Sequence, residues 1–356
     1  MRCLPFAVGC LLVAALVQPR AWAQEDGARV AAAPTVVHGL YNWVHSTADA
    51  ERAFAFYRDV FGIELAPSPF IPGAAAPEGI RPLADVRGDR LIWDLTDTEG
   101  SRARTVFMRA PNTPFGLELS EFVDIPREAR AANPWDPGAS RLIFRVRDLA
   151  ALADKLAARG APTVTLQAVP VATSSGRAVL VRDPDGYLIE VRQAAAAEAN
   201  RAESPGEVVA TAIGLTVANT GRALALYRDL LGFDVRERSQ GDGAELALNG
   251  LAAGRLERTV TVIPGSSIEV LFFEFTLPQN VTAQPFRWRI QDVGAPQFQL
   301  EVRGLDDLIE RTRAAGYRFL SVGARPIERP FGRFVFAIDA DNILVEYAEP
   351  AAQRSE

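Results

Sequence analysis

A stretch near the middle of the chain, GRAVLVRDPDGYLIEV from Gly176 to Val191, is written again near its end as GRFVFAIDADNILVEY, from Gly332 to Tyr347. Glu190 and Glu346 each stand 14 residues after the opening glycine and are 156 positions apart. The run RVRDLAALADKLAARG (145–160) returns at the same spacing as EVRGLDDLIERTRAAG (301–316). ERAFAFYRDVFGIEL (51–65) returns as GRALALYRDLLGFDV (221–235), with Tyr57 and Tyr227 170 positions apart. A duplication of this length constrains the fold before any single residue is interpreted, because each copy must build the same unit. The two spacings differ by 14, so the first copy carries a 14-residue excess, and the Pro/Ala/Gly-rich segment 67–82 is its natural seat. Pro67, Pro69, Pro72 and Pro77 each lack the donor that a central strand requires, which predicts a loop at the mouth of a cavity.

Each copy resolves into the same order of elements. Asp183-Pro184-Asp185-Gly186 has the residues of a tight turn, with proline presetting φ and glycine tolerating the exit, and apolar residues alternate on both sides of it. Residues 35–44 read as a strand, Ser46 to Asp49 as a helix start, and Ala53 to Phe61 as an apolar helical face ended by Gly62. Strand-like runs follow around Arg90–Leu95, Thr105–Arg109 and Leu117–Val123. After a turn-rich link at 134–138 come a strand at 141–146, a helix at 148–159, and the two strands of the turn motif. The order is β-α-β-β-β, twice per copy, and residues 194–207 have the small, charged, unpatterned composition of a linker.

The N-terminus reads differently. Arg2, an apolar run from Cys3 to Val17, and Ala21-Trp22-Ala23 before Gln24 match a secretory leader over 1–23, followed by a flexible spacer over 24–35. Export to the periplasm or the medium is therefore expected. Cys3 and Cys10 are the only cysteines, so a chain shortened at Gln24 has no thiol, no disulfide and no cysteine-bound metal. The net charge of −6 becomes −8 once Arg2 and Arg20 are removed, and an acidic chain without a basic stripe is a poor partner for nucleic acid. Without the leader no segment is apolar enough to hold a membrane. Four modules can pair within one chain, so a monomer or a homodimer would serve.

The motifs AFYRDVFG, ALYRDLLG, the helix start at Val146–Leu149 and DPDGYLIEV resemble those of the vicinal oxygen chelate superfamily, which includes glyoxalase I, extradiol dioxygenases and bleomycin-resistance proteins. The resemblance implies an α+β fold of four βαβββ modules paired into two domains, each a curled mixed sheet around a cavity with helices outside. The expected domains are 36–193 and 208–349, with a tail at 350–356. It also implies metal ligands on the first and last strands of each module. Carried over, these positions are His38, Glu118, Arg141 and Glu190 in the first domain, and Ala212, Leu271, Gln297 and Glu346 in the second.

His38, Glu118 and Glu190 would form a hard site with one histidine and two carboxylates for a single divalent metal, and the second domain would hold none. His38 reaches that position only if Trp43 matches Val217; a one-residue slip puts Gly39 there instead and reverses every side chain. The first register sends polar Asn42 to the cavity. Arg141 has two readings, a fork for a substrate carboxylate or enolate, or a counter-ion for Glu118 and Glu190. Asn42, Trp93 and Arg141 are candidate substrate contacts, and Glu190 and Glu118 candidate proton carriers. His45 reads as a solvent-facing loop residue. Two functions fit: lyase, isomerase or ring-cleaving chemistry on a small organic molecule in the first domain, or sequestration of such a molecule without chemistry.

Overall fold

The structure, a computed structural model, describes residues 36–351, and the leader and spacer expected before Val36 lie outside the described residues. The first module contains β1 (Val37–Ser46), α1 (Ala50–Phe61), β2 (Glu64–Leu65), α2 (Arg90–Thr96), β3 (Arg102–Arg109) and β4 (Gly116–Val123). The second contains β5 (Ser140–Val146), α3 (Leu149–Ala158), β6 (Val171–Thr173), β7 (Gly176–Arg182) and β8 (Leu188–Gln193). A short helix, α4 (Ala196–Arg201), interrupts the expected linker. The third module runs through β9 (Val208–Thr216), α5 (Thr220–Tyr227), β10 (Asp234–Gly241), α6 (Gly243–Leu248), β11 (Arg255–Val262) and β12 (Glu269–Thr276). The fourth has β13 (Pro296–Val302), α7 (Leu305–Ala314), β14 (Arg318–Phe319), β15 (Ile327–Arg329), β16 (Gly332–Ile338) and β17 (Leu344–Pro350).

Helix starts follow capping chemistry. Asp49, Asp89, Asp148, Asn219 and Asp242 each accept a backbone N–H from the first turn of the helix they precede, satisfying a donor that the helix itself leaves open. Residues 90–95, expected as a strand, are helical because Asp89 caps them and Asp97 ends them in the left-handed conformation. Asp89 and Asp242 are 153 positions apart whereas Tyr57 and Tyr227 are 170 apart. The excess in the first module is thus 17 residues, 170 − 153, and the link to the second module is correspondingly three shorter than its counterpart. Residues 67–80 belong to no strand.

The modules do not pair in chain order. The nine-stranded sheet runs β14-β16-β17-β13-β1-β4-β3-β2, with β15 on β16, and so joins the first module to the fourth. The eight-stranded sheet runs β10-β11-β12-β9-β5-β8-β7-β6 and joins the third to the second. Each seam is an antiparallel pair of opening strands, β1 with β13 and β5 with β9. The expected domains 36–193 and 208–349 are therefore corrected: each expected domain contributes one module to each sheet. The repeat pattern could not distinguish these pairings, because either one uses the same edge of the same kind of strand.

First and second modules still touch, through turn and helix rather than edge to edge. Tyr57 Oη donates to Asp183 Oδ2 at 2.9 Å, and Arg52 pairs with Asp185 at 2.7 Å. The third and fourth modules repeat the contact with Tyr227 and Asp339, also at 2.9 Å. One continuous core fills the space between the sheets, drawing on α1, α3, α5, α7 and one face of each seam strand. Strand alternation then decides what faces away from it. Trp43, Leu117, Leu119, Phe298, Leu300, Val345 and Tyr347 point into that core, so Asn42, Glu118, Gln299 and Glu346 point to the opposite face of the first sheet. No helix among the described residues is long and apolar enough to cross a membrane.

Candidate functional site

The seam of the first sheet places four polar side chains together. Asn42 stands opposite Gln299 across β1 and β13, Gln299 stands beside Glu346 on β17, and Glu118 lies on β4 beside β1. Asn42 Nδ2 donates to Gln299 Oε1 at 2.5 Å and to Glu118 Oε2 at 3.3 Å. Gln299 Nε2 donates to Glu346 Oε2 at 2.7 Å, and Ser120 Oγ donates to Glu118 Oε1 at 3.0 Å. Gly116 makes room for this cluster: a Cβ there would lie 2.0 Å from Asn42 Oδ1 and 3.1 Å from the Tyr41 carbonyl.

Both carboxylates are buried, and neither has a basic partner among the described residues. Burial pushes Glu118 up to about 8, with the charge of Glu346 adding to the effect, while its bonds from Ser120 and Asn42 act the other way. Burial also raises Glu346 to about 7, against the bond from Gln299. Two acids held near neutrality in one place can exchange protons with a substrate at working pH. They also constitute a cost to the fold whenever both are ionised and uncompensated.

That cost has a measurable sign. Both pKa values are raised in the folded protein, so the unfolded chain releases these protons at lower pH and stability falls as pH climbs from the unfolded value of about 4.5 through about 7 and 8. Chelator-treated protein should melt lower at pH 8 than at pH 5.5, by roughly several degrees, and a bound divalent cation should reduce the difference. A melting temperature independent of pH over this window would show that neither acid is buried as described.

Glu118, Ser120, Gln299 and Glu346 of this cluster line a cavity of about 450 Å³. Phe107, Phe122, Phe334 and Phe336 form much of its wall, Ile92, Leu95 and Thr96 come from α2, and Ser68, Phe70 and Ile71 come from the long loop. Phe70 packs on Phe331 with ring centroids 6.0 Å apart and edge-on to Phe334 at 5.1 Å, so the extra residues of the first module meet the β15–β16 hairpin of the fourth. The loop therefore lines the cavity, as its prolines suggested.

The corresponding place in the second sheet is filled. Arg141 and Glu190 pair at 3.1 Å, Arg192 bridges Glu190 and Glu245, and Arg141 also donates to Asn249 Oδ1 at 2.8 Å. The Arg141 guanidinium lies 4.3 Å from the centroid of Phe273, and Gly214 lets it pass, since a Cβ there would be 2.7 Å from Arg141 Cγ. Burial alone would raise Glu190, but Arg192 and Arg141 hold it below the usual carboxylate range. Of the two readings for Arg141, the counter-ion is observed, toward Glu190 alone. Leu246 of α6 and Leu251 beyond it complete the plug, together with Leu271 and Phe273.

The sequence-based set is thus divided. Glu118 belongs to the open cavity and Arg141 and Glu190 to the filled one, so the three do not share a site. His38 is exposed near the start of β1 and reaches neither, because the 170-residue offset of the helices continues unbroken into the strands and matches Ala212 to Asn42. Asn42 lies on the same face of the sheet as Glu118 and Gln299 and is hydrogen-bonded to both, but it does not itself line the cavity. Trp93 is absent from the cavity wall; its indole donates to the Ser101 carbonyl at 2.7 Å. Of the positions assigned to a degenerate second domain, Ala212 and Leu271 line the filled site, but Gln297 and Glu346 belong to the open one. Gln299 was missed altogether, although it alternates with Phe298 and Leu300 in a way that marks an inward polar residue.

A second group, His45, Asp183 and Asp185, is also close enough to share an ion. His45 is buried at the end of β1 rather than solvent-facing, stacked on Tyr187 at 4.5 Å. Asp183 already accepts Tyr57 Oη and the backbone N–H groups of Asp185 and Tyr187. The Tyr227–Asp339 copy makes the same knot with Leu215 in place of His45. The group reads as a structural tie between modules.

The family model for the Glyoxalase/Bleomycin resistance protein/Dioxygenase superfamily matches residues 43–191. Residues 43–191 are thus similar to this superfamily. The matched segment spans two modules that are neighbours in sequence and lie in different sheets. Among solved structures, glyoxalase I from Zea mays aligns with a TM-score of 0.53 at 15% identity, covering 87% of this chain and 92% of that one. A candidate dioxygenase from Bacillus subtilis aligns with a TM-score of 0.52 at 13% identity, covering 88% and 86%. At these identities the likeness is one of fold. Comparison with curated protein sequences gave no match.

Proposed function

We propose that the cavity of the first sheet is the active site of a metal-dependent lyase or isomerase acting on a small, largely apolar organic molecule. The observation that carries this reading is the linkage of Glu118 and Glu346, both buried without a basic partner among the described residues, through the amides of Asn42 and Gln299 at the wall of an aromatic cavity. Two carboxylates and two amide oxygens are a hard, all-oxygen donor set. Rotation of either amide turns its oxygen inward, and a divalent cation would satisfy the charge that burial otherwise opposes. The donor set fits such an ion, which would supply Lewis-acid stabilisation to an oxyanion of the substrate.

The chain's own residues do the rest. Glu118 and Glu346, poised near neutrality, can take a proton from carbon beside a carbonyl and return it at a neighbouring atom. Asn42 and Gln299 orient the two acids, and the phenylalanine wall excludes water from the carbanion-like species. Ring-cleaving oxygenation is less well supported, because non-haem iron oxygenases of the facial-triad kind use two histidines and a carboxylate, and the chain's two histidines lie elsewhere. Sequestration without chemistry is favoured by the apolar wall alone and leaves the paired acids without a task.

Metal analysis of protein purified without chelator, followed by reloading with Mn²⁺, Ni²⁺, Zn²⁺ or Mg²⁺, is the direct test. One ion per chain, lost on substitution of either acid, is expected; a wild-type protein that takes up none of these ions excludes the metal-dependent reading. The leader-like N-terminus supports export of this activity. Intact mass of the exported form should begin near Gln24, and a soluble form retaining Met1 to Arg20 would count against it.

A further inference from the structure

Among the described residues Arg329 is the only cationic one lining the cavity, whose other charged members are Glu118 and Glu346. It ends β15, and its side chain is 24% exposed. Its guanidinium makes one hydrogen bond among the described residues, from Nη2 to Asp89 Oδ2 at 2.5 Å. A guanidinium carries five N–H donors in a planar fork, so most of this one is uncommitted and faces a cavity otherwise walled by phenylalanine and aliphatic side chains.

The repeat shows that the fold does not require an arginine here. Asp89 caps α2 by accepting the Leu91 N–H, and Asp242 caps α6 in the third module without an arginine beside it. At the 156-residue offset Arg329 corresponds to Thr173 in the second module, where the equivalent cavity is filled. An arginine on this short strand therefore accompanies the open cavity, whereas the cations of the filled one, Arg141 and Arg192, come from other strands and are bound to Glu190 and Glu245.

We infer that Arg329 is a specificity-determining residue that selects substrates bearing an anionic group, a carboxylate above all, on an aromatic or branched apolar body. The inference deepens the proposed function and rests on its choice of cavity, though not on metal binding. The anion accepts from the uncommitted face of the guanidinium while the apolar body lies along Phe107, Phe122, Phe334 and Phe336, which share the cavity with the two acids. Arginine suits this task because its fork matches both oxygens of a carboxylate. Asp89 holds the fork in place by its single contact.

The test compares 3-phenylpropionate with its uncharged analogue 3-phenylpropanol by calorimetry on chelator-treated protein at pH 6. Wild-type protein should bind the acid at least tenfold tighter than the alcohol. Arg329→Gln should remove that preference and leave the alcohol's affinity within twofold, and Arg329→Lys should restore part of it. A merely structural brace would weaken both probes together. Equal binding of the two probes, binding of neither, or a preference that survives Arg329→Gln overturns the inference. Because no metal is present, failure of metal loading elsewhere leaves this outcome readable, and the reverse also holds.

Discussion

Glu118→Gln and Glu346→Gln should each abolish metal loading and turnover, with affinity for the ion falling by more than the roughly 10–100-fold that loss of an outer-shell partner produces. The size of the side chain is kept in both, so the wall of the cavity is undisturbed and only a charged oxygen donor is lost. The substitutions should also raise the melting temperature of chelator-treated protein at pH 8, since each removes a buried acid that burial holds up at about 8 or about 7. Loss of activity together with gain of metal-free stability is the signature of a site whose acids serve function at the expense of the fold. Equivalence of the two variants matters most. An intact Glu346→Gln protein would mean that the fourth module does not share the site.

Glu190→Gln should do the opposite. Its carboxylate neutralises Arg141 and Arg192 in the filled cavity, where Arg141 is 1% exposed and Arg192 8%. Breaking a buried ion pair from one side typically costs about 3–5 kcal/mol; Asn249, Phe273 and Glu245 still contact the arginines, so the lower end is expected. Urea unfolding should report this loss, while metal stoichiometry at the open cavity stays at the wild-type value. If Glu190→Gln instead released the ion at undiminished stability, the active site would lie in the second sheet.

Much of this arrangement was legible in the sequence, and what was not has physical causes. The duplication, the four modules and the face of the sheet on which Asn42 lies followed from periodicity and turn chemistry, which are local. The carboxylates Glu118 and Glu346 were found at their strand positions, but their lack of a basic partner is a property of the assembled sheet. Arg141 was carried over to their site on the expectation that modules adjacent in the chain pair; it belongs to the other sheet. His38 was carried over from the resemblance in a register that matched Trp43 to Val217, whereas the offset of 170 matches Ala212 to Asn42. The helix at 90–96 was hidden because Leu91, Ile92, Trp93 and Leu95 suit a strand equally well, and Asp89, the capping signal, stands outside that run.

The seam between β1 and β13 has a consequence for how the protein comes into being. Asn42 and Gln299, which meet across it, are 257 residues apart in the chain. The sheet of the second and third modules can close as soon as β12 has been made, whereas the first module has no edge partner until the fourth follows it. Closing so long a loop adds little free energy over a shorter one, since the entropy grows only logarithmically, but non-local pairing of this kind is slow. The sheet that carries the open cavity is thus the last to be completed during synthesis. A chain interrupted between β12 and β13 owns the filled sheet in full and only half of the open cavity, so truncation there separates the two sheets.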